Sequence, residues 1–163
     1  MEKRLRIIVC GVGFGQFYIR AIDKIKCKYK LVGILSRGSE WSKQWTKKYG
    51  VILYTDIDEI TKENVDVVCV VIKSTVVNGE GSTIVHSLLE KGINVIQEHP
   101  IDIDDYIMCI KIAQKNCCMY RLNTFYPQLS NVKQFIFLAG KLRKKTTYNI
   151  LMRNVVCMCF SRL

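Results

Sequence analysis

Near its N-terminus the sequence reads Leu5-Arg6-Ile7-Ile8-Val9-Cys10, and Gly11-Val12-Gly13-Phe14-Gly15 follows without interruption. The first segment is apolar enough for a buried strand, and residues 16–26 carry a helical pattern. Closely spaced glycines between a strand and a helix allow a tight turn and let backbone N–H groups approach a phosphate. The pattern therefore predicts a strand–loop–helix unit that binds a nucleotide, although Gln16 stands where the third glycine of G-x-G-x-x-G falls.

Strand and helix patterns alternate along the remaining sequence. The 65–72 segment is almost continuously apolar and β-branched, which is typical of a parallel strand buried on both faces. Such alternation predicts an α/β fold, in which a Rossmann-type doubly wound parallel sheet is covered by helices on both sides. We expect strands at residues 30–35, 51–54, 65–72, 94–97 and 119–122, and helices at residues 40–49, 104–115 and 128–145, with another helix between Ser82 and Gly92 and a strand-like pattern at residues 148–163.

The composition is that of a globular protein with one well-buried core. The 163 residues are 49% hydrophobic and 24% charged, which excludes intrinsic disorder. The formal net charge of +11 is compatible with nucleic-acid binding, but the basic clusters at residues 3–6, 24–30 and 141–145 are interrupted and no nucleic-acid motif accompanies them. We therefore expect a solvated basic surface that attracts a polyanionic dinucleotide, and no nucleic-acid partner.

The cysteines and histidines do not have the spacing of a metal site. Eight cysteines occur without a C-x-x-C pair, and only His86 and His99 are available as imidazole ligands. Cys10, Cys69 and Cys109 lie in apolar runs, where a free thiol behaves as a small hydrophobic side chain. No segment has the apolar length of a transmembrane helix, and the N-terminus lacks a secretory cleavage site. These features predict a cytoplasmic protein with reduced thiols, no metal and no membrane partner.

In a parallel sheet the carboxyl ends of the strands meet at one edge, where ligands of this fold class bind. The end of the second strand distinguishes between cofactors, because NAD-selective sites place Asp or Glu there and this sequence has Ser36, Arg37 and Ser39. A guanidinium beside hydroxyl groups suits the 2′-phosphate of NADP. The competing interpretation of Arg37 is a solvated loop charge. A G-x-G-x-G loop also occurs in methyltransferases that use S-adenosylmethionine, but these too need an acidic residue after the second strand.

Glu98-His99-Pro100 and Tyr126 are the candidates for reaction chemistry. Reduction of a C=O or C=N bond leaves charge or basicity on the heteroatom, so a nearby acid must donate a proton. Histidine and tyrosine side chains both serve as such acids in suitable surroundings. Structural roles compete with this interpretation, as a hydrogen-bonded loop histidine and a packed core tyrosine. We expect His86 to be structural and the His99–Pro100 peptide to be trans.

Gly11-x-Gly13-Phe14-Gly15 and Glu98-His99-Pro100 together resemble the superfamily of glucose–fructose oxidoreductase, inositol dehydrogenase and MocA (Gfo/Idh/MocA). In that superfamily Glu-Lys-Pro closes the fifth strand, and histidine here replaces the lysine. With this histidine, the motif resembles that of thiazolinyl imine reductases of siderophore biosynthesis. So are four longer strings, Ile34-Leu35-Ser36-Arg37-Gly38-Ser39, Gly79-Glu80-Gly81-Ser82, Gln97-Glu98-His99-Pro100 and Arg121-Leu122-Asn123-Thr124-Phe125-Tyr126-Pro127.

The resemblance covers about residues 5–140. It implies NADPH-dependent reduction of a C=N bond, thiazoline to thiazolidine, on an intermediate held by a nonribosomal peptide synthetase. His99 and Tyr126 correspond to the proton donors of that reaction. The cofactor contacts that it implies are Gly11, Gly13, Phe14 and Gly15 at the pyrophosphate, Ser36, Arg37 and Ser39 at the 2′-phosphate, Ser74 after the fourth strand, and Glu98 beside the nicotinamide.

Members of that family are considerably longer than this chain, because a second α/β domain supports their substrate site and dimerisation. We expect residues 1–125 to form the NADP-binding Rossmann domain. We expect residues 126–163 to form a helix and a strand-like start of a truncated second domain. Whether such a chain is an enzyme stays open at this point. The alternative is a non-catalytic NADP-binding or partner-docking module, and a homodimer is a candidate assembly.

Overall fold

A computed structural model of the protein describes residues 3–72, 79–124 and 128–143. The chain divides into two compact units, Met1–Leu122 and Asn123–Leu163. The described elements follow one another as β1 (Leu5–Cys10), α1 (Gly15–Lys24), β2 (Tyr29–Leu35), α2 (Glu40–Tyr49), β3 (Ile52–Tyr54), a 3₁₀ turn (Ile57–Glu59), β4 (Val67–Val70), α3 (Glu80–Glu90), β5 (Asn94–Glu98), α4 (Ile103–Lys115), β6 (Tyr120–Asn123) and α5 (Ser130–Arg143).

The six strands form one sheet in the order β3-β2-β1-β4-β5-β6. β1 pairs in parallel with β2 on one side and with β4 on the other, and the β2–β3 and β4–β5 pairs are also parallel. β2 and β3 therefore follow one another outward on one side of β1, and β4, β5 and β6 follow one another outward on the other side. This arrangement confirms the predicted α/β fold with a doubly wound parallel sheet, and it places the switch point of the sheet beside β1.

Alternate residues of β1 face opposite sides of the sheet, as the two-residue period of a strand requires. Ile7 and Val9 pack into a core layer with Ile19 and Ile22 of α1. Ile8 and Cys10 pack into the opposite layer, which also contains Val85, Leu88 and Leu89 of α3 and Cys109 of α4. Because both faces of β1 are covered, its second half is apolar throughout. This continuous apolar run is why the strand could be predicted from the sequence.

Several element boundaries differ from the sequence-based expectation. β4 covers only Val67–Val70 of the expected 65–72 segment, and α1 ends at Lys24 because Ile25 leaves the helical region with φ −116° and ψ 33°. The expected helix at residues 128–145 is observed as Ser130–Arg143. The strand-like pattern at residues 148–163 lies outside the described residues, and the proposed boundary between residues 125 and 126 stays a prediction.

Cys10, Cys27, Cys69, Cys109, Cys117 and Cys118 are free thiols. Burial raises the pKa of both Cys10 and Cys69 to about 12, so these two thiols are not nucleophiles at neutral pH. Among the described residues, no cluster of three or more His, Cys, Asp or Glu side chains is arranged to hold a metal ion. Within the same part of the chain, no helix combines the length and hydrophobicity needed to cross a membrane.

Candidate functional site: the carboxyl edge of the sheet

The loop of residues 11–15, here called the glycine loop, is held tightly against the ends of two strands. Gly11 has φ +89°, and a Cβ atom at this position would lie 3.0 Å from the carbonyl oxygen of Val71. The Gly11 N–H donates a 3.0 Å hydrogen bond to the carbonyl of Leu35. A side chain at Gly15 would approach the Val9 side chain to 2.9 Å. Glycine is thus required at both ends of the loop by backbone geometry and by close helix–strand packing.

The middle of the glycine loop is open, in contrast to its two ends. Gly13 is exposed, and a Cβ at this position would meet no atom within 4 Å. Helix α1 starts next to it, and its N-cap residue Phe14 makes no side-chain hydrogen bond to the first turn. The first N–H groups of a helix need partners, and a phosphate supplies them without a capping side chain. The loop therefore fits the pyrophosphate of a dinucleotide at the backbone of residues 13–15.

Gln16 occupies the position of the third glycine in the pattern, but its side chain does not block the glycine loop. Its side-chain Nε2 donates a 2.9 Å hydrogen bond to the carbonyl of Gly13. The Gln16 backbone N–H meanwhile donates to the carbonyl of Val12 at 3.2 Å. The missing third glycine is thus replaced by a side chain that stabilises the turn from outside.

The loop of residues 36–39 follows β2 and lies beside the glycine loop, because the Gly11–Leu35 hydrogen bond joins the two strand ends. Ser36 accepts a 3.2 Å hydrogen bond from the Gly38 N–H, and Gly38 has φ +79°. Ser39 is the N-cap of α2 and accepts a 3.2 Å hydrogen bond from the N–H of Ser42. The two hydroxyl groups thus shape the loop and start the next helix, whether or not they also contact a ligand.

Arg37 projects from this loop and forms a two-point ion pair with Glu80, the first residue of α3. Nε of Arg37 donates to Oε1 of Glu80 at 3.2 Å, and Nη2 donates to Oε2. The Arg37 side chain is 83% exposed and that of Glu80 49% exposed. Their hydrogen bond raises the pKa of Arg37 and lowers the pKa of Glu80, so both groups are charged at neutral pH.

The Arg37–Glu80 pair spans the end of β1. Arg37 follows β2, Glu80 follows β4, and β1 lies between these two strands in the sheet. Electrostatics agree with this placement, because the charge of Glu80 adds to burial in raising the pKa of Cys10, the last residue of β1. The pair therefore stands at the mouth of the glycine loop.

Glu98 and His99 lie at the same edge, at the end of β5. Both are partly buried, and the Tyr18 hydroxyl of α1 donates a hydrogen bond to Oε2 of Glu98. The helix that begins at the glycine loop is thereby tied to the end of β5. The His99–Pro100 peptide is cis, so the expectation of a trans bond was wrong. A proline amide has only a small preference for trans, which the surrounding fold readily overrides.

A buried polar contact supports the strand just before Glu98. Gln97 is fully buried, and its Oε1 accepts a 2.7 Å hydrogen bond from the Tyr120 hydroxyl of β6. Burial raises the pKa of Tyr120, so its phenol remains a proton donor to Gln97. A second buried contact, from Ser82 Oγ to Asp105 Oδ2 at 2.6 Å, joins α3 to α4. Both contacts fix the elements that carry the site.

The structure thus brings the glycine loop, residues 36–39 and the Glu98–His99 pair to one sheet edge, as the sequence predicts. Ser74 and Tyr126 lie outside the described residues, so their predicted roles are neither supported nor opposed. Two residues at the edge were not predicted, namely Tyr18 and Glu80. Glu80 lies in the Gly79-Glu80-Gly81-Ser82 string that the resemblance uses, but its partner is 43 positions away in the sequence.

This fold and edge are those of a nucleotide-binding domain with a doubly wound parallel sheet. A family model described as the Gfo/Idh/MocA oxidoreductase family with an NAD-binding Rossmann fold matches residues 5–124. The chain belongs to this family.

Several solved structures share the fold. GenD2 from gentamicin A biosynthesis in complex with NAD is 17% identical, with a TM-score of 0.72 over 88% of this chain and 41% of that one. The WlbA dehydrogenase from Bordetella pertussis in complex with NADH and UDP-GlcNAcA is 14% identical, with a TM-score of 0.73 over 86% and 43%. The apo scyllo-inositol dehydrogenase from Lactobacillus casei is 21% identical, with a TM-score of 0.69 over 88% and 43%.

This chain spans about two fifths of the length of these three structures (41–43%). No curated protein sequence matches it. At these identities the likeness establishes the fold alone.

Proposed function

We propose that the chain binds NADPH at the carboxyl edge of its sheet and serves reduction of a C=N bond, thiazoline to thiazolidine, in a siderophore intermediate carried by a nonribosomal peptide synthetase. The cofactor part rests on one observation, the Arg37 guanidinium in a loop after β2 that contains no Asp or Glu. The substrate part rests on the family resemblance in residues 34–39, 79–82, 97–100 and 121–127.

Features of the described residues support binding of such a cofactor. The open backbone at Gly13 and the uncapped start of α1 would hold the pyrophosphate. Arg37 would hold the 2′-phosphate with its planar guanidinium, since it already engages a carboxylate through two nitrogens. The net charge of +11 would attract a ligand with several negative charges.

The proposed chemistry requires a hydride and a proton. When bound, NADPH supplies the hydride to the ring carbon. His99 and Tyr126 would donate the proton to the ring nitrogen, His99 from the end of β5 next to Glu98. Glu98, held by the Tyr18 hydroxyl, would keep this part of the pocket in place.

The test has two stages, both with the full chain. Binding is measured first, as a change in NADPH fluorescence at micromolar protein, and absence of any change would remove the cofactor proposal. NADPH consumption with a thiazoline substrate is then compared for the wild type, His99→Phe and Tyr126→Phe, with His86→Gln as a control that changes the other histidine. We expect loss of activity only in the first two variants.

Each other result has a defined meaning. Equal rates in wild type, His99→Phe and Tyr126→Phe would remove the proton-donor assignment while leaving the binding site intact. NADPH binding without turnover in any protein would favour the non-catalytic binding module instead. A size measurement in solution tests the proposed homodimer separately.

A further inference from the structure

We propose that Glu80 is a specificity-determining residue for the cofactor: it holds Arg37 as its counter-ion and so competes with the 2′-phosphate of NADP for the same guanidinium. The inference rests on the proposed binding of NADPH at this edge. The carboxylate that influences the preference between NADP and NAD would then lie on α3 and not at the end of β2.

The geometry of the pair carries this proposal. Arg37 uses Nε and Nη2 for the two carboxylate oxygens of Glu80, the same side-on arrangement by which a guanidinium binds two phosphate oxygens. The two partners cannot occupy that edge of the guanidinium together. NADP binding through this edge therefore requires Arg37 to exchange one anion for another.

The exposure of the pair makes such an exchange feasible. With the Arg37 side chain 83% exposed and Glu80 49% exposed, the pair is solvated and contributes little to the stability of the fold. The position of the pair across the end of β1 puts the exchange beside the glycine loop.

The experiment measures dissociation constants of NADPH and NADH for the full-length wild type, Glu80→Gln, Arg37→Gln and the double variant. Glu80→Gln removes the charge and keeps the shape, so we expect NADPH to bind roughly two- to fivefold more tightly, the range of an exposed ion pair, with NADH unchanged. Glu90→Gln is the matched control, because Glu90 is exposed at the other end of α3, about 15 Å away along the helix.

The double variant distinguishes a direct effect from one through Arg37. If Glu80 acts by holding Arg37, the Glu80→Gln change has no effect on NADPH binding in the Arg37→Gln background. The gain should also shrink at high salt, since exposed charges are screened. Thermal unfolding of each variant verifies that it is folded, and 2′,5′-ADP against 5′-AMP repeats the comparison with the adenosine half alone.

Two kinds of failure are separable. If the wild type binds neither NADPH nor NADH, the proposed function is wrong and this inference falls with it. If the wild type binds NADPH but Glu80→Gln leaves the NADPH-to-NADH preference unchanged, or the gain persists in the Arg37→Gln background, only the role of Glu80 is refuted.

Discussion

Gly13→Ala is the substitution that best separates ligand binding from folding in this protein. Gly13 lies in the middle of the glycine loop, where an added Cβ would meet no atom within 4 Å. Its φ is not in the left-handed region, whereas that of Gly11 is +89°. A methyl group at position 13 therefore fits the folded chain but stands where a pyrophosphate would approach the backbone.

For Gly13→Ala we expect unchanged or higher stability of the fold but weaker binding of NADPH. Alanine at a compatible position restricts the unfolded chain, so the free energy of unfolding should rise by about 0.4–1 kcal/mol or stay unchanged. Loss of one hydrogen bond to a charged phosphate costs about 1.5–3 kcal/mol. That loss corresponds to roughly ten- to 150-fold weaker binding of NADPH.

Two other glycine variants serve as controls. Gly11→Ala should lower stability by at least about 1–2 kcal/mol because of its positive φ, and its Cβ would also press on the Val71 carbonyl. Gly50→Ala has φ +61° and open space around it at the end of α2, so it should lower stability without affecting NADPH.

The assays are NADPH fluorescence titration and chemical denaturation of the same samples. Wild-type affinity in a folded Gly13→Ala variant would falsify the placement of the pyrophosphate at this loop. A loss of stability as large as that of Gly11→Ala would instead show that the middle of the loop is packed rather than open.

Three further predictions concern one contact at the amino ends of β1 and β4, between Arg6 and Asp66, and two contacts at the carboxyl edge of the sheet. Hydrogen bonds from Arg6 lower the pKa of Asp66 to about 2, below its ordinary value of 3.8, so its contribution is present above pH 4 and is lost as the pH falls toward 2. Asp66→Asn should therefore lower the free energy of unfolding by about 1–2 kcal/mol at pH 7, and a difference that persists undiminished at pH 2 would contradict this. Tyr18→Phe removes the donor to Glu98 and should cost about 1 kcal/mol by denaturation, with weaker NADPH binding, whereas unchanged values for both would show the contact to be idle. Ser39→Ala removes the α2 cap and should cost about 0.5–2 kcal/mol, and a loss of NADPH affinity without a loss of stability would assign the hydroxyl to the ligand instead.

The fold was predictable because its signals are local. β4 is apolar on both faces, Gly11 and Gly38 stand where a strand gives way to a helix, and Gly50 and Gly92 stand where a helix gives way to a strand. Helix α2 was expected at residues 40–49 and is observed as Glu40–Tyr49, since Ser39 caps its start and Gly50 ends it in the left-handed conformation. The end of α1 was harder to predict, because Ile25 and Lys26 continue the helical sequence pattern although the backbone has already left the helix at Ile25.

The site was predictable only to the extent that it follows from strand ends. A parallel sheet gathers those ends, so residues 11–15, 36–39 and 98–99 could be placed together from the sequence. The partners of their side chains could not. Glu98 is 80 positions from Tyr18, and Arg37 is 43 positions from Glu80. Such pairs arise from the relative placement of a helix and a distant loop, which no local pattern encodes.

These long-range pairs change what the charges at the edge mean. Considered alone, Arg37 is an unpartnered cation after β2, and the chain's charge of +11 strengthens the expectation of anion binding there. In the fold, Glu80 neutralises that cation at the mouth of the glycine loop. The strength of a 2′-phosphate contact is then a difference between two anions competing for one guanidinium, because the contact with one is lost when the other is gained. On the proposed binding of NADPH, cofactor preference depends on Glu80 of α3 as well as on the loop after β2, and the Arg37/Glu80 double variant measures the contribution of Glu80.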